Sequence, residues 1–177
     1  MNYANIKNCD IANGPGVRVS LFVSGCTRQC KGCFNPETWD FQYGKPFTEE
    51  TADSILEMLA PDYIAGLTLL GGEPLEHANR QALLPLVRAV KERYSGKNIW
   101  CYTGYLFERD ILGAFCAQWP EMEEFLSYLD VIVDGEFILA QKNISLRFRG
   151  SENQRIIAVQ ESLRQGKSIL WEDAEEG

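Results

Sequence analysis

"RVSLFVSGCTRQCKGCFN", residues 18–35, decides how the rest of the chain is read. Residues 18–24 are rich in β-branched and apolar residues, the composition of a strand. The strand runs into Gly25, and Cys26, Cys30 and Cys33 follow within eight residues. Three thiols that close in one loop are too dense for ordinary packing. A strand that delivers such a loop sets the question for the remaining segments: what else arrives at the same place?

Moving outward, the chain alternates. "FTEETADSILEMLA" (47–60) reads as a helix capped by Thr48, with Ile55, Leu56 and Leu59 on one face. "GLTLL" (66–70) is a short buried strand, and "NRQALLPLVRAVKERY" (79–94) is helical, with Pro85 as an interior flaw. "NIWCYT" (98–103) is the third strand. Helical turns follow around 105–115 and 121–128, then a fourth strand at 130–134 and a fifth at 154–160. Strands alternating with helices predict a parallel sheet with right-handed crossovers. A closed eight-fold barrel takes about 250 residues, so a partial, open parallel β/α barrel or open α/β sheet fits this chain better. No internal repeat, low-complexity linker or domain boundary interrupts it. Residues 1–177 read as one domain with an acidic, solvated tail from about Trp171, Trp171 itself being a candidate to dock.

Each of the first four strands ends on a distinctive segment: Gly25-Cys26, Gly71-Gly72-Glu73-Pro74, Thr103-Gly104-Tyr105 and Asp134-Gly135-Glu136. In a parallel α/β sheet these gather at the carboxyl edge, where ligands bind. Any one of them is an ordinary turn; four together with a cysteine cluster are more persuasive.

Composition bounds the function. The 177 residues are 45% apolar and 24% charged, ordinary for a soluble domain, and the formal net charge is -8. That charge offers no electrostatic grip on nucleic acid or anionic lipid. The start "MNYANIKNCD" lacks the apolar segment of a signal peptide, and no apolar run approaches the roughly 18 residues of a membrane span. The expected setting is the cytoplasm. There, six cysteines with half of them in eight residues point to metal or redox chemistry rather than disulfides.

Two chemistries suit Cys26, Cys30 and Cys33. A structural zinc needs a fourth ligand, from Cys9, Cys101, Cys116 or His77. Yet Cys101 lies in an apolar strand pattern and Cys116 beside a helix, both as small core hydrophobes, and His77, the single histidine, reads as a surface or capping residue. An iron–sulfur cluster fits the spacing better, and three thiols leave one iron open to a small molecule.

With C-x3-C-x2-C after the first strand and "GGEP" after the second, the chain resembles the radical S-adenosylmethionine superfamily. "NGPGVRVSLFVSGC" (13–26), "GCFNPETWD" (32–40), "WCYTGY" (100–105), "VDGEF" (133–137) and "RGSENQR" (149–155) are similar to one branch, the activating proteins of anaerobic (class III) ribonucleotide reductase. The resemblance implies a partial barrel of the radical S-adenosylmethionine type, with about five to six strands. It implies a [4Fe-4S] cluster on Cys26, Cys30 and Cys33, whose fourth iron is chelated by S-adenosylmethionine. Reductive cleavage of that cofactor gives a 5′-deoxyadenosyl radical, which takes a hydrogen from a glycine of the reductase. The implied partners are the reductase catalytic subunit and a low-potential electron donor such as flavodoxin or ferredoxin.

The implied cofactor contacts are Gly32, Cys33 and Phe34 toward the adenine, and Gly71, Gly72 and Glu73 toward the amino group, Gly72 foremost. The small residue Gly32 departs from the wider superfamily, which carries an aromatic there. Phe34 read without the family is an ordinary core aromatic. "NGPGVR" precedes its strand, so it is a rigid turn rather than a phosphate loop, with Arg18 as a candidate polar contact. Arg149 and Arg155 are candidates for the substrate carboxylate or the partner, or are simply solvated. Cys9, upstream of the loop, is within possible reach of it. Two rival readings stay open: a radical enzyme on a small molecule, of the deazaguanine-synthase kind, and a zinc-stabilised interaction module.

Overall fold

The computed structural model describes residues 1–173. Seven strands form one sheet: β1 (Asn2–Asp10), β2 (Val17–Val23), β3 (Lys45–Pro46), β4 (Ile64–Gly71), β5 (Asn98–Tyr102), β6 (Val131–Asp134) and β7 (Arg155–Ala158), in the order β3-β1-β2-β4-β5-β6-β7. The centre is parallel, β2 with β4, β4 with β5 and β5 with β6. Five helices accompany it: α1 (Glu49–Met58), α2 (His77–Arg93), α3 (Cys116–Gln118), α4 (Met122–Tyr128) and α5 (Val159–Gln165). A π-helical turn, Phe107–Phe115, leads into α3. The sheet is not closed into a barrel.

The α/β alternation is as expected, but the edges correct the all-parallel, five-to-six-strand reading. β1 and β3 add antiparallel strands on one side, and β7 runs antiparallel to β6 on the other. β1 hides in the sequence because its side chains are mostly exposed or half-buried; main-chain pairing with β2 holds it, so no apolar pattern is needed. β7 reverses because no α-helix carries the chain back after β6; residues 135–154 contain only one short 3-10 turn. A parallel return needs a crossover, usually a helix.

Strand alternation sorts the side chains into two faces. Val19, Leu21, Val23, Leu67, Leu69, Ile99, Cys101 and Ile132 join the main core with Ile55 of α1, Leu83 and Val87 of α2 and Phe125 of α4. The alternate residues Trp100, Val131 and Val133 form a second cluster with Tyr102, Phe148, Ile156 and Trp171. Trp171 is therefore docked, while the end of the acidic tail, 174–177, lies outside the described residues. Helix α1 has the expected Thr48 cap, made reciprocal by Thr51. Helix α2 continues through Pro85 and begins at His77, which is exposed.

Candidate functional site

All four strand-end segments arrive together. A cavity of about 560 Å³ at the carboxyl edge is lined by Cys26, Cys30 and Cys33, by Gly71, Gly72 and Glu73, by Thr103 and Gly104, and by Gly135. That volume is of the size that holds a cofactor.

The segments are stitched to one another through main chain. Gly72 N–H donates to the Val23 carbonyl (2.8 Å) and Glu73 N–H to the Gly25 carbonyl (2.8 Å). A Cβ on Gly72 would sit 2.7 Å from the Gly25 carbonyl oxygen and 2.9 Å from that of Thr38. Gly71, at φ +105°, would press its Cβ to 2.8 Å from the backbone of Phe22 and Val23. The glycine pair thus answers a close approach of protein backbone, in addition to any close approach of a ligand. From the first turn of α2, Asn79 donates to both the Ser24 carbonyl (3.0 Å) and the Glu73 carbonyl (2.9 Å).

Glu73 is buried, and its carboxylate is committed inward. It accepts from Thr103 Oγ1 (2.7 Å), Leu75 N (3.0 Å) and Gly104 N (2.8 Å), joining the end of β4 to the end of β5. Burial pushes its pKa up to about 7, against the pull of those donors.

The cysteine loop is held at both ends. Thr27 donates its N–H and its hydroxyl to Glu76 Oε1 (2.8 and 2.7 Å). Arg28 pairs with Glu136 (3.2 Å) and Asp110 (3.8 Å) and lies 4.3 Å from the centre of the Tyr105 ring. Gln29 and Gly32 take positive φ, which bends the loop so that all three half-buried thiols reach the cavity. Burial raises the Cys26 thiol, opposed by the N–H groups of Arg28 and Gln29. Burial likewise raises Cys30, opposed by the N–H of Phe137. Such N–H groups aimed at sulfur stabilise a thiolate and a sulfur-ligated cluster alike.

Among the described residues, no three His, Cys, Asp or Glu side chains converge as ligands of a single metal ion. The donor set does fit an iron–sulfur cluster with a polar ligand beside it. Three soft thiols share a cavity with three buried polar atoms that have no protein partner, Arg28 Nε, Trp39 Nε1 and the Tyr102 hydroxyl.

Several sequence candidates fall elsewhere. Cys101 is fully buried in the helix-side core, Cys116 sits after the π-helical turn, and Cys9 is exposed near the end of β1; none lines the cavity. Arg18 is buried in the sheet, donating to Thr68 Oγ1 (2.7 Å) and the Leu67 carbonyl (3.0 Å), and is no cavity contact. Burial pulls its guanidinium down to about 10. Arg155 is bound to Asp134 (2.5 Å) and Glu108 (2.7 Å) with its side chain 35% exposed, and it does not line the cavity. Arg149 lines the cavity and donates to the Gln154 carbonyl (2.7 Å). Phe34 is 60% exposed at the cavity wall, 5.0 Å from the Phe137 ring, so it is not a core aromatic. Arg28, Asn79 and Trp39 went unnoticed in sequence; none carries a local pattern that marks it.

A family model described as a 4Fe-4S single cluster domain matches residues 12–157, which include all three loop thiols. The chain is 45% identical over 158 residues to the anaerobic ribonucleoside-triphosphate reductase-activating protein of Enterobacteria phage T4, across 88% of this chain and 93% of the relative. It belongs to the anaerobic ribonucleoside-triphosphate reductase-activating protein family. The family member of Vibrio cholerae is 44% identical over 159 residues (88% of this chain, 97% of the relative), and that of Escherichia coli K12 is 41% identical over 156 residues (87% and 96%). The matched 4Fe-4S region contains the strand-end segments that line the cavity.

Proposed function

We propose that this protein activates anaerobic ribonucleotide reductase by generating a glycyl radical on it, with Cys26, Cys30 and Cys33 as the three ligands of a [4Fe-4S] cluster and S-adenosylmethionine at the open iron. One observation carries the reading: these three thiols and the Gly71-Gly72-Glu73 turn line the same cavity, whereas Cys9, Cys101 and Cys116 do not. When bound, the cluster supplies the electron with which S-adenosylmethionine is cleaved to methionine and a 5′-deoxyadenosyl radical, which takes a hydrogen atom from a reductase glycine.

The chain's own residues prepare that event. Thr27 and Arg28 fix the cysteine loop, so the thiols stand ready without reorganisation. Gly71 and Gly72 present main chain to the substrate amino group, and Glu73 acts chiefly by holding that turn against Thr103 and Gly104. The main chain of Gly32 to Phe34 borders the adenine. Phe34 and Phe137 supply an apolar wall that keeps water from the reacting carbon.

The open sheet is read as a partial barrel of the radical S-adenosylmethionine type. Its uncovered side then receives the glycine-bearing loop of the reductase, which acts as the lid. A low-potential flavodoxin or ferredoxin supplies the electron, and the setting is the cytoplasm. In support, no helix among the described residues is long and apolar enough to cross a membrane.

Electron paramagnetic resonance of the anaerobically reconstituted, reduced protein tests the assignment. The expected result is a reduced-cluster signal that changes when S-adenosylmethionine is added. A colourless protein with stoichiometric zinc and no iron overturns the reading. Cleavage that proceeds with a small molecule and never marks the reductase overturns the choice of substrate.

A further inference from the structure

The family match ends at residue 157, yet the chain continues as α5 and then doubles back. Gly166, in the left-handed conformation that favours glycine, ends α5. The returning segment runs along β7: Ala158 N–H donates to the Ile169 carbonyl (2.9 Å), Trp171 N–H donates to the Ile156 carbonyl (2.8 Å), and Ile157 bridges Leu170. Asp173 pairs with Arg147.

This clasp delivers Trp171 to the cavity face of the sheet. Its ring meets Trp100 edge-on at 5.0 Å and Phe148 at 6.3 Å, and Trp100 meets Phe148 at 5.5 Å. Trp100 and Tyr102 lie two residues apart on β5 and so share a face; Tyr102 lines the cavity, and Trp100 lies one level beneath it. Phe148 connects the two levels, since it packs with both tryptophans and also lines the cavity. Its backbone is left-handed (φ +62°), a conformation an aromatic residue keeps only when its surroundings impose it. Its neighbours Arg149 and Gly150 line the cavity as well, and a Cβ on Gly150 would come within 2.9 Å of Phe34.

We propose that the clasp Ile169–Asp173 positions the cavity wall: Trp171 pins Phe148 in its left-handed turn and so sets Arg149 and Gly150 against the bound cofactor. Trp171 is a positioning residue and touches no reacting atom. The identity of that cofactor, S-adenosylmethionine, rests on the reading above; the mechanical part does not.

Full-length Trp171→Ala and Trp171→Phe test it in two arms. The first is limited trypsin digestion of the protein without cofactor, with cut sites read by mass spectrometry. Trp171→Ala is expected to be cut after Arg147 or Arg149 about tenfold faster than the parent. Cuts after Arg88 and Lys91 in α2 stay at the parental rate, and Trp171→Phe resists like the parent. Unchanged cutting at 147–149 overturns the proposal, as does equal acceleration in α2, which is plain loss of fold stability. The second arm is S-adenosylmethionine affinity of the reconstituted protein, expected to weaken about fivefold in Trp171→Ala from lost preorganisation, with iron content unchanged. Unaltered affinity overturns the link to the cavity. A parent protein that binds no S-adenosylmethionine overturns the functional reading instead, and the trypsin arm still decides whether Trp171 holds Phe148.

Discussion

The two faces of the sheet are built from the same strands to opposite specifications. Toward the helices, Val19, Leu21, Val23, Leu67, Leu69, Ile99 and Cys101 are each fully buried and carry no charge. Toward the cavity, the alternate positions hold Arg18, Ser20, Thr68, Trp100 and Tyr102; Arg18 donates to Thr68, 50 residues away, and Ser20 to Asp10, 10 residues away (each 2.7 Å). The lesson is a division of labour by strand parity. One set of residues makes the fold by excluding water, and the other holds a polar cradle rigid so that the strand ends meet. Cys101 and the loop cysteines show the contrast in one residue type: the first is a fully buried small hydrophobe, the others are half-buried thiols at the cavity, exposed enough to react.

The largest effect that tests this division is loss of the cluster. Cys30→Ala is expected to abolish iron binding and all cleavage of S-adenosylmethionine. Cys101→Ala keeps both and costs only ~1 kcal/mol of stability. Iron analysis of the two reconstituted proteins checks it, and equal loss in both breaks the comparison. Next comes Leu69→Ala on the helix side, where the emptied core site costs about 2–5 kcal/mol in denaturant unfolding. Below its midpoint that variant still takes up its full complement of iron; failure to do so means the faces are not separable.

Glu73→Gln on the cavity side is expected to be milder, about 1–3 kcal/mol. The new amide places an N–H against the Gly104 N–H, where a carboxylate oxygen accepted before. The same variant sharpens the pH dependence. A carboxyl whose folded pKa is raised to about 7 favours the folded state fully below the unfolded value of 4.5 and loses that contribution as pH rises through 7. The stability difference between the parent and Glu73→Gln is therefore expected to shrink as pH rises from about 4.5 to 7. A difference flat across that window removes Glu73 from the account.

Much of the site is legible in the sequence alone. The glycine segments mark strand ends because a positive φ or a close backbone approach leaves few alternatives, as at Gly25, Gly71 and Gly135. The thiol spacing is local, so a single loop displays it whole. The partners of Glu73, Arg18 and Arg155 were not legible, since they lie 30, 50 and 21 residues away and nothing nearby in sequence selects them. The sequence left Arg155 open between substrate, partner and solvent; in the structure it is the counter-charge of a buried Asp134.

What the sequence by itself determined is the alternation of strand and helix, the cap on α1, and the gathering of a cysteine loop with glycine turns at one sheet edge. These follow from periodicity and backbone sterics, which act over a few residues. Only the tertiary structure decided the antiparallel edges, the burial of Arg18 beneath the cavity, the exposure of Phe34 and the landing of Trp171 on Trp100. Each of those depends on which distant surface a segment meets, and short-range pattern holds no record of that meeting.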